Sequence, residues 1–147
     1  MQDFPHHYKV AAAAAPDGDV TLASNGVDNL LSAPPREFDG PGDKWSPETL
    51  LVAAVADCFV LSFRAIARAS KLSWLLLKCD VEGTLERIES VNRFTSFVVH
   101  ATLEVPAEIN EELARRILAK AEKSCLVSRS LSGATHLDAT VIRVQGQ

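Results

Sequence analysis

Residues 46–66 read SPETLLVAAVADCFVLSFRAI, and they predict one long helix that ends near Lys71. Ser46 is a favourable N-cap, Pro47 suits the first helical position, and Glu48 places an acid in the first turn. Almost every later position is apolar, so the first half of the helix has nearly no polar face. We therefore expect protein to surround this helix on most sides, with a sheet on one side and a second subunit on another.

Composition and charge narrow the class of protein. The chain has 147 residues, 47% of them hydrophobic, which is typical of one soluble globular domain. Its net charge of −4 argues against nucleic acid or an anionic membrane as the main partner. The N-terminus lacks a secretory pattern, and Asp57, Ser62 and Arg64 interrupt the apolar helix. We expect a cytoplasmic protein without a membrane span.

Strand-like segments lie on both sides of this helix. A meander precedes it, with strands at residues 8–10, 20–22 and 30–33 separated by turn sequences. Two strands follow at 75–86 and 94–105, then a helix at 107–124 and a strand at 136–144. The order β-β-β-α-β-β-α-β predicts an α+β fold with a largely antiparallel sheet.

Periodicity predicts which side chains face inward. Alternation places one set of the second long strand in the core, namely Phe97, Val99, Ala101, Leu103 and Val105. The apolar stripe of the second helix is predicted to follow a four-residue step that leads to Cys125, through Ile109, Leu113, Ile117 and Ala121.

Three cysteines are the side chains most able to carry chemistry. A free cysteine in a reducing compartment is an inert core residue, a metal ligand or a redox catalyst. Metal binding is disfavoured, because neither the cysteines nor the histidines have ligand spacing. No dinucleotide-type glycine loop is present, so we expect no bound cofactor. From the residues alone, Cys58 and Cys125 stay open between core and catalyst, and Cys79 is interpreted as core.

Two motifs resemble those of the OsmC/Ohr family. The first joins the loop EFDGPG at residues 37–42 to the helix start Ser-Pro-Glu, with a cysteine ten residues after Glu48. The second, AEKSCLVS at residues 121–128, resembles the family's motif in which a helix ends at a resolving cysteine. The resemblance implies an OsmC-like domain over residues 1–147 and a peroxidase active in the oxidative stress response.

The resemblance also implies roles for individual residues. Cys58 would attack an organic hydroperoxide, and Cys125 would form an intrachain disulfide with the resulting sulfenic acid. External dithiols, typically lipoyl groups on partner proteins, would restore both thiols. An arginine held by Glu48 would favour the thiolate. The turn at residues 16–19 lacks the arginine of the Ohr branch, so Arg36 is the first substitute and Arg129 another.

Glu48 and Cys58 are expected to meet only in a dimer. On one straight helix they lie about 15 Å apart along the axis. The family forms intertwined homodimers with sites at the interface, in which Glu48 of one chain would approach Cys58 of the other. The carboxylate of Asp57 would disfavour the thiolate if it faced the sulfur, but adjacent helical residues point apart.

Two other functions remain as alternatives. A non-enzymatic dimer of the same fold would bind a small apolar ligand or act as a thiol redox sensor, and the missing turn arginine and Asp57 favour it. A thiol hydrolase would need a histidine base beside Cys58, and neither His100 nor His136 lies in a motif that supplies one.

For the peroxidase, an apolar pocket formed by Phe59, Phe63 and Trp45 would favour alkyl hydroperoxides over hydrogen peroxide.

Overall fold

A computed structural model describes residues 1–146. The chain divides into two compact units, Met1–Leu51 and the part from Val52 onward. The predicted order of strands and long helices is confirmed, and two short helices are added. The elements in chain order are β1 Ala11–Ala13, β2 Val20–Ala23, β3 Leu30–Ser32, a 3-10 helix Arg36–Phe38, α1 Pro47–Ala69, β4 Leu76–Ile88, β5 Val91–Pro106, α2 Glu111–Ser124, α3 Leu126–Arg129 and β6 Ala134–Val144.

The first unit contains an antiparallel meander in the order β1-β2-β3. The strand predicted at residues 8–10 is wrong by three positions, because the ladder to β2 begins at Ala11 opposite Ala23. Tyr8-Lys9-Val10 has the better strand composition, but backbone hydrogen bonding to β2 sets the register. The predicted turn at residues 16–19 is present, with Gly18 at a φ of 96°.

Helix α1 starts where the sequence predicts and is exposed more widely than expected. Its buried residues are Val55, Phe59, Phe63 and Ala67, which form one line at four-residue spacing. Over its most apolar 18 residues the mean hydropathy is 2.0, yet only 22% of that window is buried. Length and hydropathy alone would permit a membrane span, although core helices of soluble proteins also meet that test. Within residues 1–146 of one chain, most sides of α1 are therefore not buried.

The second unit contains the sheet β4-β5-β6. Strands β4 and β5 form an antiparallel hairpin, whose turn residues Glu89 and Ser90 have positive φ. Strand β6 runs parallel to β5, because the chain crosses back through α2 and α3 before it pairs. The other strand pairs are antiparallel, so the α+β, largely antiparallel prediction is confirmed.

Helix α2 begins later than predicted. Its N-cap is Asn110, whose side-chain oxygen accepts a hydrogen bond from the backbone N–H of Leu113 at 3.0 Å. Ile109 therefore lies before the helix, and Leu113 is 36% exposed. The predicted stripe is wrong at these two positions. The buried residues of α2 are Ala114, Ile117, Leu118 and Ala121.

The core of the second unit lies on one face of its sheet. All five residues of β5 predicted to face inward are buried. Gly83 of β4 lies so close to α1 that a Cβ there would come within 2.9 Å of a methyl carbon of Val52. The edge-to-face contact of Phe63 with Trp74 extends this core, with ring centroids 5.3 Å apart. The sheet thus supports the part of α1 that carries Cys58.

Candidate active site

Cys58 lies in the middle of α1 and is half-buried. It comes one residue before the fully buried Phe59, so its side chain leaves the helix at the edge of the core-facing line. Its sulfur lies 3.9 Å from the hydroxyl oxygen of Ser62, one helical turn further on. The neighbouring Asp57 is exposed, which agrees with the expectation that its carboxylate points away from the sulfur.

Cys125 lies at the junction of α2 and α3 and is 2% exposed. Its extended backbone ends α2 and serves as the N-cap of α3. Burial raises the pKa of Cys125, while hydrogen bonds from the hydroxyl and backbone N–H of Ser128 lower it, and the nearby Cys58 raises it further. The net pKa of Cys125 is above its ordinary value, so this cysteine stays a thiol at neutral pH.

The structure brings the Cys58 and Cys125 side chains together. They lie close enough for Cys58 to raise the pKa of Cys125, and both are free thiols. A disulfide needs the two sulfurs about 2.05 Å apart. Two thiols this near to one another can form a disulfide after a local movement of their side chains, so this pair is suited to reversible oxidation.

A third thiol, Cys79, lies close enough to be influenced by Cys125. It is on the inward face of β4, between the exposed Lys78 and Asp80. Burial raises the pKa of Cys79 to about 11, and the charges of Asp80 and Cys125 add to the effect. Cys79 is therefore a protonated, half-buried thiol, as a core cysteine would be.

The first unit contains Glu48 and Arg36. Glu48 contributes to a pocket of about 310 Å³ whose other lining residues are Val20, Ser32, Ala33, Pro34, Pro35, Phe38 and Pro47. Its Oε1 atom is buried and has no hydrogen-bond partner among residues 1–146. Arg36 is exposed, and its side chain lies against Gly42. The Glu48 carboxylate is thus free to accept a cationic partner.

Other candidate residues have different surroundings. Arg129 is exposed and donates to the backbone oxygen of Lys123 at 3.1 Å, so this guanidinium caps α2. His100 pairs with Asp138 at 3.0 Å on the exposed face of the sheet.

Phe59 and Phe63 are 1% and 0% exposed, so in one chain they are core rather than pocket walls. Within the described part of the chain, no group of three or more His, Cys, Asp or Glu side chains is arranged to hold a metal ion.

Residues 40–140, well over half of the chain, match the family model described as OsmC-like protein. The chain belongs to the OsmC-like family. It is 27% identical over 136 residues to the uncharacterized protein YmaD of Bacillus subtilis, with 90% of each chain covered. These findings confirm the family indicated by the two cysteine motifs.

Solved structures of OsmC-like proteins have the same fold. One is an organic hydroperoxide resistance protein OsmC from Legionella pneumophila, 26% identical, with a TM-score of 0.74 and coverage of 95% of this chain and 99% of that one. Another is an OsmC-like protein of unknown function from Vibrio cholerae, 13% identical, with a TM-score of 0.82 and coverage of 92% and 99%. The likeness to the second shows the fold alone.

Two serines of this OsmC-like site were missed by sequence reasoning. Ser62 follows Cys58 by four residues, and Ser128 follows Cys125 by three. Both spacings place the side chains on the same face of a helix. A search for hydroxyls at these spacings from each cysteine would have found them.

Proposed function

We propose that this protein is a thiol-dependent peroxidase that reduces organic hydroperoxides to alcohols. The observation that carries the proposal is the proximity of the Cys58 and Cys125 thiols. A peroxidase of this type needs one thiol to attack the peroxide and a second to capture the oxidised product. The Legionella relative, an organic hydroperoxide resistance protein, supports the same class of substrate.

The proposed reaction balances in three steps. The Cys58 thiolate attacks the O–O bond of ROOH and becomes a sulfenic acid, while the alkoxide leaving group takes a proton to give ROH. The Cys125 thiol then displaces water from that sulfenic acid and forms the Cys58–Cys125 disulfide. An external dithiol reduces the disulfide by two thiol–disulfide exchanges and becomes a disulfide itself. No bound cofactor takes part in this scheme.

We propose that, in a homodimer, Arg36 of one copy is the cation that favours the Cys58 thiolate of the other copy, and that Glu48 is the carboxylate that holds this arginine. The unpartnered, buried oxygen of Glu48 supports its part, because such an atom is costly to leave without a donor. A guanidinium offers a fork of donors that matches a carboxylate. Arg36→Ala and Glu48→Gln are expected to slow peroxide reduction, while Arg143→Ala, in β6, serves as a surface control.

We propose a homodimer in which α1 is covered by a second copy. Only one line of α1 is buried within one chain, and Leu61 on this helix is 50% exposed. Large exposed apolar surface on a helix of this hydropathy indicates an interface. Light scattering should give twice the mass of the 15.9 kDa chain. A monomer at micromolar concentration would contradict the dimer.

We propose that the protein acts in the cytoplasm and receives electrons from lipoyl groups on partner proteins. The low content of cysteine and the free state of all three thiols are compatible with a reducing compartment. Turnover of hydroperoxide with dihydrolipoamide should exceed turnover with glutathione at equal thiol concentration. Equal rates would remove the preference for a dithiol.

The central experiment counts free thiols. Brief treatment with cumene hydroperoxide should remove two of the three thiols of the wild type, and Cys58→Ser should lose none. Cys79→Ser is the matched control, since it should still lose two. Repeated turnover with a dithiol distinguishes a peroxidase from a redox sensor, which would oxidise once and stop.

A further inference from the structure

Ser62 is the side chain whose hydroxyl lies beside the sulfur of Cys58. Its Oγ is 3.9 Å from Sγ, on the following turn of α1. Sulfur is larger than oxygen, so its hydrogen bonds are correspondingly longer, and this contact is at their outer limit. A small rotation of either side chain would shorten it. Ser62 is half-buried, like Cys58, so the pair is partly shielded from water.

The other serines in the helical segments behave differently. Ser124 donates its hydroxyl to the backbone oxygen of Lys120 at 2.7 Å, and Ser130 donates to that of Leu126 at 2.7 Å. The backbone carbonyl four residues earlier is a common hydrogen-bond acceptor for the hydroxyl of a helical serine. Among residues 1–146, the hydrogen-bond partner of the Ser62 hydroxyl is the Cys58 sulfur instead. Its single hydrogen is therefore available to a thiolate.

Ser128 shows what such a hydroxyl does when a backbone carbonyl competes for it. Its Oγ donates to the backbone oxygen of Cys125 at 3.2 Å and also lies within reach of the Cys125 sulfur. One hydroxyl hydrogen cannot serve both acceptors fully. Of the two cysteine–serine pairs, the one on α1 has the undivided donor.

We propose that the Ser62 hydroxyl donates a hydrogen bond to the Cys58 thiolate and thereby increases the fraction of this cysteine that is ready to attack. The inference rests on the proposed function, since it takes Cys58 as the attacking thiol. Because Ser62 touches the reacting sulfur, it is assigned as a further catalytic residue. It supplies a neutral donor from the next turn of the same helix.

The surroundings of Cys58 favour a strong effect from one donor. A hydrogen bond to a charged acceptor is stronger than one between neutral groups, and partial burial strengthens it. Cys125 is the titratable group that faces Cys58, and it stays protonated because burial raises its pKa. The nearest charged residues of α1, Asp57 and Arg64, are exposed. The Ser62 hydroxyl thus acts on a thiolate with few competing charges from its own helix.

Alkylation of reduced protein with iodoacetamide, quantified at Cys58 by peptide mass spectrometry, tests the role without any peroxide. Iodoacetamide reacts with the thiolate, so its rate reports the ionised fraction. Ser62→Ala should lower the rate at pH 7 about tenfold, as the loss of one hydrogen bond to a charged group implies. The rates of wild type and variant should converge at high pH, where the thiol is fully ionised.

Matched variants separate the hydroxyl from packing. Ser62→Thr keeps the donor and should retain the wild-type pH profile, whereas Ser130→Ala removes the serine at the end of α3 and should change nothing at Cys58. Superimposable profiles of Ser62→Ala and wild type would overturn the inference. If the Ser62→Ala profile is shifted but cumene hydroperoxide oxidises no thiols of the wild type, the role of Ser62 is supported and the peroxidase function is refuted.

Discussion

The thiols of Cys58 and Cys125 lie close together, although one is in the middle of α1 and the other at the end of α2. Helix α1 is supported by the sheet near Gly83, and α2 returns the chain to β6 beside β5. Their proximity therefore depends on how two helices pack in the second unit. It gives this member of the OsmC-like family a pair of sulfurs suited to reversible oxidation.

Removal of Cys125 should trap the first product of oxidation. In Cys125→Ser, the sulfenic acid at Cys58 has no thiol in contact to capture it, so labelling by dimedone after brief hydroperoxide treatment should rise severalfold above the wild type. Mass spectrometry of the labelled peptide measures this. Cys79→Ser should label as weakly as the wild type. Strong labelling of wild type and Cys125→Ser alike would show that Cys125 does not act as the resolving thiol.

Cys79 should make stability depend on pH above about 9. Its pKa is raised from 9.0 to about 11 in the folded chain, so between these values the unfolded chain releases a proton that the folded chain keeps. The free energy of unfolding should therefore fall as pH rises from 9 to 11, by at most about 1.4 kcal/mol per pH unit from this group. Urea unfolding at pH 8, 9 and 10 measures the fall.

Cys79→Ala is the comparison that isolates this effect. Tyr8 and the lysines contribute equally to both proteins at first order, so the difference between them reports Cys79 together with its influence on Cys125. The variant should lose less stability over this range than the wild type. Parallel curves would mean that Cys79 ionises at the same pH in the folded and unfolded chains.

The start of α1 should be sensitive to loss of the Ser46 hydroxyl. Ser46 is 1% exposed; its Oγ accepts from the N–H of Thr49 at 3.1 Å, and its own N–H donates to Thr49 Oγ1 at 2.9 Å. This reciprocal arrangement resembles a capping box with threonine in the third position. Ser46→Ala should lower the free energy of unfolding by about 1 kcal/mol, measured by urea titration. Thr49→Ser keeps the hydroxyl and should cost less than Ser46→Ala.

Gly83 should tolerate no added methyl group. A Cβ there would lie 2.9 Å from Val52 Cγ2 and 3.1 Å from ring carbons of Phe94 and Phe97. Alanine in a strand normally costs less backbone entropy than glycine, so a loss of stability would report the steric effect. Thermal and urea unfolding of Gly83→Ala should show a loss of about 1–3 kcal/mol. Gly146→Ala, with open space around its Cβ, is the control and should be neutral.

Local patterns predicted most elements of the fold. The start of α1 followed from Ser46 and Pro47, and the inward face of β5 followed from alternation that only Val98 interrupts. The errors occurred where a capping side chain or a partner strand sets the first residue of an element. Helix α2 begins after the Asn110 cap rather than at Ala107, and β1 takes its position from pairing with β2.

By itself, the sequence determined the family, the order of elements and the two helices that carry Cys58 and Cys125. Such features depend on neighbours along the chain, through the periods of helix and strand and through capping. Only the tertiary structure decided that Cys58 lies near Cys125 and that Cys125 lies near Cys79. Those contacts join residues on separate elements, and their distances depend on how the helices pack on the sheet, which no local pattern specifies.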